Sequence, residues 1–135
     1  MTHTQVKYDG RCMCGAVHFV AQGDPTYVGH CHCDDCRRAT GGVSVAWFGV
    51  NPANFEVVKG TMSEHQSSPG IFRGFCSDCG SSLTFRGQGW DDIGVTIASL
   101  DDPNCLTPNS NVYISEKLHW VPITAGTRNY DGFPA

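Results

Sequence analysis

The sequence has no long hydrophobic run: no stretch approaches the roughly 20 apolar residues that a membrane-spanning helix needs, so membrane association through such a helix is excluded. The start, Met1-Thr2-His3-Thr4-Gln5-Val6-Lys7, lacks the basic opening and apolar stretch of a secretion signal, and the expected location is the cytoplasm. Helical periodicity is equally scarce. No segment keeps a 3.6-residue apolar period for three turns, which argues against a helical bundle. Basic charge is also in short supply, with nine Lys and Arg against 13 Asp and Glu and a formal charge of −4. The only adjacent basic pair is Arg37-Arg38, too little to attract a phosphate backbone, so no nucleic-acid partner is expected. Repeats, linkers and low-complexity segments are absent, and residues 1–135 read as a single domain.

What is present is a set of short strand-like runs. Sixteen glycines and seven prolines are scattered along 135 residues and punctuate them. The runs are Ala16–Val20, Val43–Val50, Phe55–Lys59, Ile71–Phe75, Ser82–Arg86, Gly94–Ala98, Asn111–Ser115 and Leu118–Val121. Each is rich in β-branched or aromatic residues and ends near glycine, proline or asparagine. Asp34–Thr40 is the best candidate for a short helix, and a turn is expected near Asp101–Asn104. The predicted class is therefore mainly β. A chain of this length buries roughly two-thirds of its unfolded surface, so any metal adds to a core and does not replace one.

Eight cysteines in a cytoplasmic chain point to metal or catalysis, because disulfides are rare there. Seven fall into three tight groups: Cys12-Met13-Cys14-Gly15, Cys31-His32-Cys33-Asp34-Asp35-Cys36 and Cys76-Ser77-Asp78-Cys79-Gly80. Such spacing lets one turn of backbone aim two sulfurs at one ion. Gly15 and Gly80 stand where those turns need a positive φ or room for amides to face sulfur. Structural zinc takes four protein ligands, whereas catalytic zinc takes three and keeps a position open. The simplest partition joins Cys12, Cys14, Cys76 and Cys79 in a closed site and leaves Cys31, Cys33 and Cys36 around an open one. His32 or the lone Cys105 could instead close the second site. Cys105 reads more naturally as a small buried hydrophobe, and His32, between two ligands, is expected to point away. Zinc is inferred from the sulfur ligands, although iron also accepts four thiolates. Two zinc ions per chain are expected.

An open three-thiolate zinc carries net negative charge, so it activates water less readily than a three-histidine zinc. A soft sulfur shell suits an incoming thiol better. Around it, Arg37 or Arg38 could meet a substrate carboxylate, Trp47, Phe48 and Trp120 could wall a pocket, and His30 and His119 could relay protons. Each of these residues has an ordinary structural role available to it, as do Asp34 and Asp35 at a polar helix start.

The ordered motifs Gly10-Arg11-Cys12-Met13-Cys14-Gly15, Cys31-His32-Cys33-Asp34-Asp35-Cys36-Arg37-Arg38 with Thr40-Gly41, and Phe75-Cys76-Ser77-Asp78-Cys79-Gly80-Ser81 resemble the glutathione-dependent formaldehyde-activating enzyme family, which also includes centromere protein V. The tail, from Val112-Tyr113-Ile114 through Trp120 to Phe133-Pro134, is similar to the family's C-terminal end. The resemblance implies a β-tent fold of small antiparallel sheets. It also implies a structural zinc on Cys12, Cys14, Cys76 and Cys79, and a catalytic zinc on Cys31, Cys33 and Cys36. The implied activity is that of a carbon–sulfur lyase. In the synthetic direction a small-molecule thiol such as glutathione, bound as thiolate, adds to formaldehyde to give an S-hydroxymethyl thiol. The competing expectations are a non-catalytic scaffold module in which both zincs hold shape, and a redox-sensing or metal-buffering protein.

Overall fold

The computed structural model describes residues 6–134. It is mainly β, with eleven strands and one short α-helix among those residues. In chain order the strands are β1 (Lys7–Arg11), β2 (His18–Gln22), β3 (Tyr27–Cys31), β4 (Val45–Val50), β5 (Phe55–Lys59), β6 (Ser63–Ser68), β7 (Ile71–Phe75), β8 (Ser82–Gly87), β9 (Ile93–Thr96), β10 (Ser110–Val112) and β11 (Arg128–Asn129). The helix α1 (Asp34–Thr40) follows β3.

The strands form two sheets. A three-stranded sheet has the order β1-β2-β5, and an eight-stranded sheet has the order β11-β10-β3-β4-β9-β8-β7-β6. Pairing is antiparallel except at β10, which runs parallel to both β3 and β11. Alternation decides which faces meet. On β1 and β2, Tyr8, Gly10, Phe19 and Ala21 point inward and their neighbours outward. Gly10 lies opposite Phe19, and a Cβ there would sit 2.2 Å from the Phe19 ring, so only glycine lets that ring cross the strand. The main core joins Phe19 and Val17 to Phe48, Val50, Leu83 and Val95, all nearly inaccessible to solvent. Burial of each such side chain stabilises the fold by about 1.5–3 kcal/mol.

Several sequence expectations are met and several shift. The helix, β5 and β7 lie where the composition places them. The run Gly94–Ala98 begins as β9 but turns at Ile97 into a 3-10 helix, Ile97–Ser99. Asn111–Ser115 is cut short at Tyr113, whose φ of 55° breaks extended pairing and starts a 3-10 turn, Ile114–Glu116. Leu118–Val121 is not a strand. It closes on itself through the Val121 N–H to the Leu118 carbonyl, and the Lys117 ammonium donates to the carbonyls of both residues. Trp120 accordingly stands 61% exposed, outside the core and outside the wall of the cavity beside the second cysteine cluster.

Candidate metal centres and the cavity beside them

The first cysteine cluster is built by two turns, each closed by a glycine. After β1 the chain reverses through Cys12–Gly15, where the Gly15 N–H donates to the Cys12 carbonyl with φ 80° at the glycine. After β7 it reverses through Cys76–Gly80, where the Gly80 N–H donates to the Cys76 carbonyl with φ 79°. Left-handed glycines close both turns and leave two sulfurs of each on one side. Ser81 ties the turns together: its hydroxyl accepts from the Met13 N–H at 2.9 Å and lies 3.2 Å from Cys79 Sγ.

The four sulfurs of Cys12, Cys14, Cys76 and Cys79 lie within 4.8 Å of one another. The Cys12–Cys14 and Cys14–Cys76 separations are 3.6 and 3.8 Å. A tetrahedron with Zn–S bonds of about 2.3 Å has edges of about 3.8 Å, so the spacing fits. The Val17 N–H points at Cys12 Sγ from 3.3 Å, the contact a thiolate needs. Hydrogen bonding to the Ser81 hydroxyl and backbone holds Cys79 down to about 5. Cys12 and Cys76 are buried in the main core, whereas Cys14 is exposed and Cys79 half-buried, so the cluster sits at the core's edge.

The second cluster sits where β3 meets α1. Cys31 ends β3, Cys33 caps the helix with its sulfur accepting the Cys36 N–H at 3.3 Å, and Cys36 lies one turn in. These three sulfurs also lie within 4.8 Å of one another, and among the described residues no fourth histidine, cysteine or carboxylate joins them. Cys36 is held down to about 3, first by hydrogen bonding from Cys31 and Cys33 and then by the Arg73 guanidinium. Sharing hydrogen bonds with Cys33 and Cys36, and burial after it, pushes the Cys31 thiol far up. Three converging sulfurs, one of them held as thiolate beside a guanidinium, make a donor set that fits a thiophilic ion.

His32 is buried and faces the other way, with Nε2 3.0 Å from Asn111 Oδ1. Asn111 donates onward to Thr127 and Asn129, so His32 anchors the loop to β10 and β11. Cys105 belongs to neither cluster and is exposed, not buried as its type suggests. It ends the 3-10 turn Pro103–Cys105, near the turn expected from the sequence.

The three-cysteine cluster opens into a cavity of about 1120 Å³. Trp47, Phe85, Trp90 and Tyr113 contribute aromatic surface, and Arg73 reaches in from β7. Phe85 packs on Trp47 at 5.3 Å and edge-on to Trp90 at 5.2 Å. The Arg73 guanidinium lies 5.2 Å from the Phe85 ring centre. Of the residues singled out from sequence, Trp47 lines this cavity, whereas Phe48 is wholly core. Arg37 pairs with Asp34 instead, and neither it nor Arg38, His30 or His119 lines the cavity. Burial, with the His32 ring next in effect, lowers the His30 pKa. Arg73 and Phe85 escaped notice because their pairing depends on register: they face each other across β7 and β8.

The sequence model of the family described as glutathione-dependent formaldehyde-activating enzyme matches residues 7–116, a span holding all seven clustered cysteines. The chain belongs to this family. Family members similar to it include a Halomonas elongata protein whose name carries the same family designation, 32% identical over 141 aligned residues that cover 93% of this chain and 88% of that one. An uncharacterized lyase of Schizosaccharomyces pombe is 29% identical over 79 residues, covering 58% of this chain and 57% of the relative. The crystal structure of a Rhodobacter sphaeroides protein shares the fold, with a TM-score of 0.58 and 24% identity over 71% of this chain and 88% of that one. The formaldehyde-activating family match ends before Trp120 and Phe133, yet Phe133 packs edge-on to Tyr27 at 5.9 Å and borders the same cavity.

Proposed function

We propose that this protein is a zinc-dependent carbon–sulfur lyase acting on the adduct of a small-molecule thiol and a formaldehyde-like aldehyde, with residues 1–135 forming one domain. In this reading Cys12, Cys14, Cys76 and Cys79 hold a structural zinc, and Cys31, Cys33 and Cys36 hold a second zinc at the substrate cavity. The observation that carries it is the contrast between the clusters: four sulfurs saturate one, while the other has three and opens into space. Zinc held by the three thiolates would supply a soft cation that favours the thiolate form of a substrate thiol.

The chain's own groups do the rest. Trp47, Phe85 and Trp90 exclude water from one side of the cavity and give the adduct an apolar wall. Arg73 offsets the negative charge that collects at Cys36, so a second sulfur anion can approach. In the synthetic direction the thiol gives up its proton, a sulfur–carbon bond forms, the carbonyl π pair moves to oxygen, and that oxygen takes up one proton in place of the one the thiol released. The reverse direction breaks the carbon–sulfur bond and returns thiol and aldehyde. Family membership and a relative named as a lyase support the reaction class. The scaffold reading requires a closed second site, and His32, the nearest extra ligand in sequence, is engaged with Asn111. No helix among the described residues is long and apolar enough to cross a membrane, and a set of reduced thiols suits the cytoplasm.

The test is the rate of S-hydroxymethyl adduct formation and breakdown, followed by NMR with labelled formaldehyde and a panel of thiols. Exchange faster with the zinc-loaded protein than in buffer, and lost in Cys33→Ser, is the expected result. Exchange no faster than in buffer for every thiol would sink the lyase reading.

A further inference from the structure

The charge around the cavity bears on which thiol it takes. Asp34 is neutralised by Arg37. Asp35, Asp91, Asp92 and Glu116 also border the cavity, and none is paired with a Lys or Arg among the described residues. Among the described residues Asp92 accepts from the Thr26 hydroxyl at 3.0 Å and Glu116 from the Asp34 N–H at 3.0 Å, and neither meets a cationic partner. Arg73 is the sole Lys or Arg among the described lining residues. Its guanidinium is engaged with Cys36 Sγ and laid against Phe85.

Two further features concern what would fill this space. Trp90 borders it with 44% of its surface exposed, offering an indole next to the carboxylates. A carboxylate beside an exposed aromatic face is the chemistry that binds an organic ammonium. Trp47 also lines the cavity, is only 3% exposed, and its indole N–H has no acceptor among the described residues. Buried donors normally have partners, and a hydroxyl or carbonyl oxygen of a ligand would satisfy this one.

We propose that the cavity selects a thiol whose far end carries an organic cation, an aminothiol, over net-anionic thiols, glutathione among them. The inference rests on the thiol-adduct reading above and names the substrate class within it. A thiolate docked at the cysteine cluster brings its own negative charge, and further carboxylates on the same molecule would meet four carboxylates with no unengaged cation to receive them. An ammonium on the same molecule would instead meet the Trp90 indole and the acidic side chains that border the cavity.

The experiment is a titration of the zinc-loaded protein, followed by tryptophan fluorescence, with cysteamine, 2-mercaptoethanol, 3-mercaptopropionate and glutathione at low and high salt. Cysteamine is expected to bind at least about tenfold more tightly than 3-mercaptopropionate or glutathione at low salt, with the gap narrowing at high salt. Because these thiols differ in intrinsic acidity, the same ratio is measured in Asp91→Asn and Asp35→Asn. Both replace exposed residues, and each is expected to shrink the ratio about two- to fivefold. Equal binding of all four thiols, tighter binding of the anionic ones, or a ratio unmoved by both substitutions would overturn the charge selection while leaving the thiol reading standing. Failure of every thiol to bind would remove both.

Discussion

Both terminal nitrogens of Arg73 lie against the sulfur of Cys36, Nη1 at 3.8 Å and Nη2 at 3.9 Å. Arg73 sits on β7, and three residues later the same strand delivers Cys76 to the four-cysteine cluster. The closed cluster thereby fixes the strand that places a cation beside the open one. Replacing Arg73 with Gln leaves more negative charge on Cys36 just where an incoming sulfur anion must approach. A hydrogen bond to a charged group contributes about 1.5–3 kcal/mol, so kcat/KM for adduct formation should fall about 10- to 100-fold. Lys, which keeps the charge but loses the fork, should recover part of it. Unchanged turnover with Gln, at unchanged metal content, would show that the contact is only packing.

The two clusters should respond differently to loss of their ligands. Cys12 and Cys76 lie in the main core, and their cluster links turns separated by more than sixty residues of chain. Apparent zinc binding of about 10–16 kcal/mol in small domains equals or exceeds the roughly 5–15 kcal/mol of an ordinary fold. Cys12→Ser with Cys76→Ser is therefore expected to unfold the protein and release all metal. Changing Cys31, Cys33 and Cys36 to Ser together should lower zinc from two per chain to one and keep the β circular-dichroism spectrum. Elemental analysis beside that spectrum checks both, and loss of folding in the triple variant would recast the second cluster as structural.

Much of this was legible in the sequence, and the exceptions have physical reasons. The helix start at Asp34 is marked by the polar pair Asp34 and Asp35, which fall in its first turn, whereas the cap itself, the Cys33 sulfur, carries no such signal. Both cysteine clusters match the simplest partition that the spacing offers, and His32 and Cys105, which spacing leaves as alternatives, stand outside them. β6, by contrast, reads Ser-Glu-His-Gln-Ser-Ser and has almost no buried face, so no apolar pattern marks it. It exists because it pairs by backbone with β7 at the sheet edge. β3 carries the chain into the second cysteine motif, and its strand character is diluted by Gly29 and His30. The cavity wall was hidden for a related reason. Trp90 and Phe85 meet only because the turn after β8 folds the indole back over Gly87, where a Cβ would come within 2.1 Å of the ring.

That contact yields a test of the wall. Gly87→Ala should push the Trp90 indole off the strand without straining the backbone, since Gly87 is not among the residues with positive φ. An ordered aromatic contact is worth about 1 kcal/mol beyond its burial, so KM for the thiol should rise roughly fivefold while kcat changes little. The Trp fluorescence maximum should shift to the red as the indole enters water. An unaltered KM alongside that red shift would mean that Trp90 does not form part of the binding surface.

Cys105 provides a check on which thiols are engaged. It is exposed and outside both clusters, so in the metal-loaded protein it should be the first cysteine to react with iodoacetamide, identified by peptide mass spectrometry. Partial desolvation, and after it the carboxylate of Asp102, raises its pKa above the ordinary thiol value. The reactive species is the thiolate, so a raised pKa means less of it at a given pH. Labelling at pH 7.5 should thus be slower than that of free cysteine, and should climb about tenfold per pH unit until the pH passes the raised pKa. The other seven thiols should become reactive together with Cys105 only after a chelator strips the metal. If Cys12 or Cys76 reacts as fast as Cys105 before chelation, the four-cysteine cluster is not a closed metal site, because a buried sulfur bound to an ion has neither the exposure nor the free lone pair that alkylation requires.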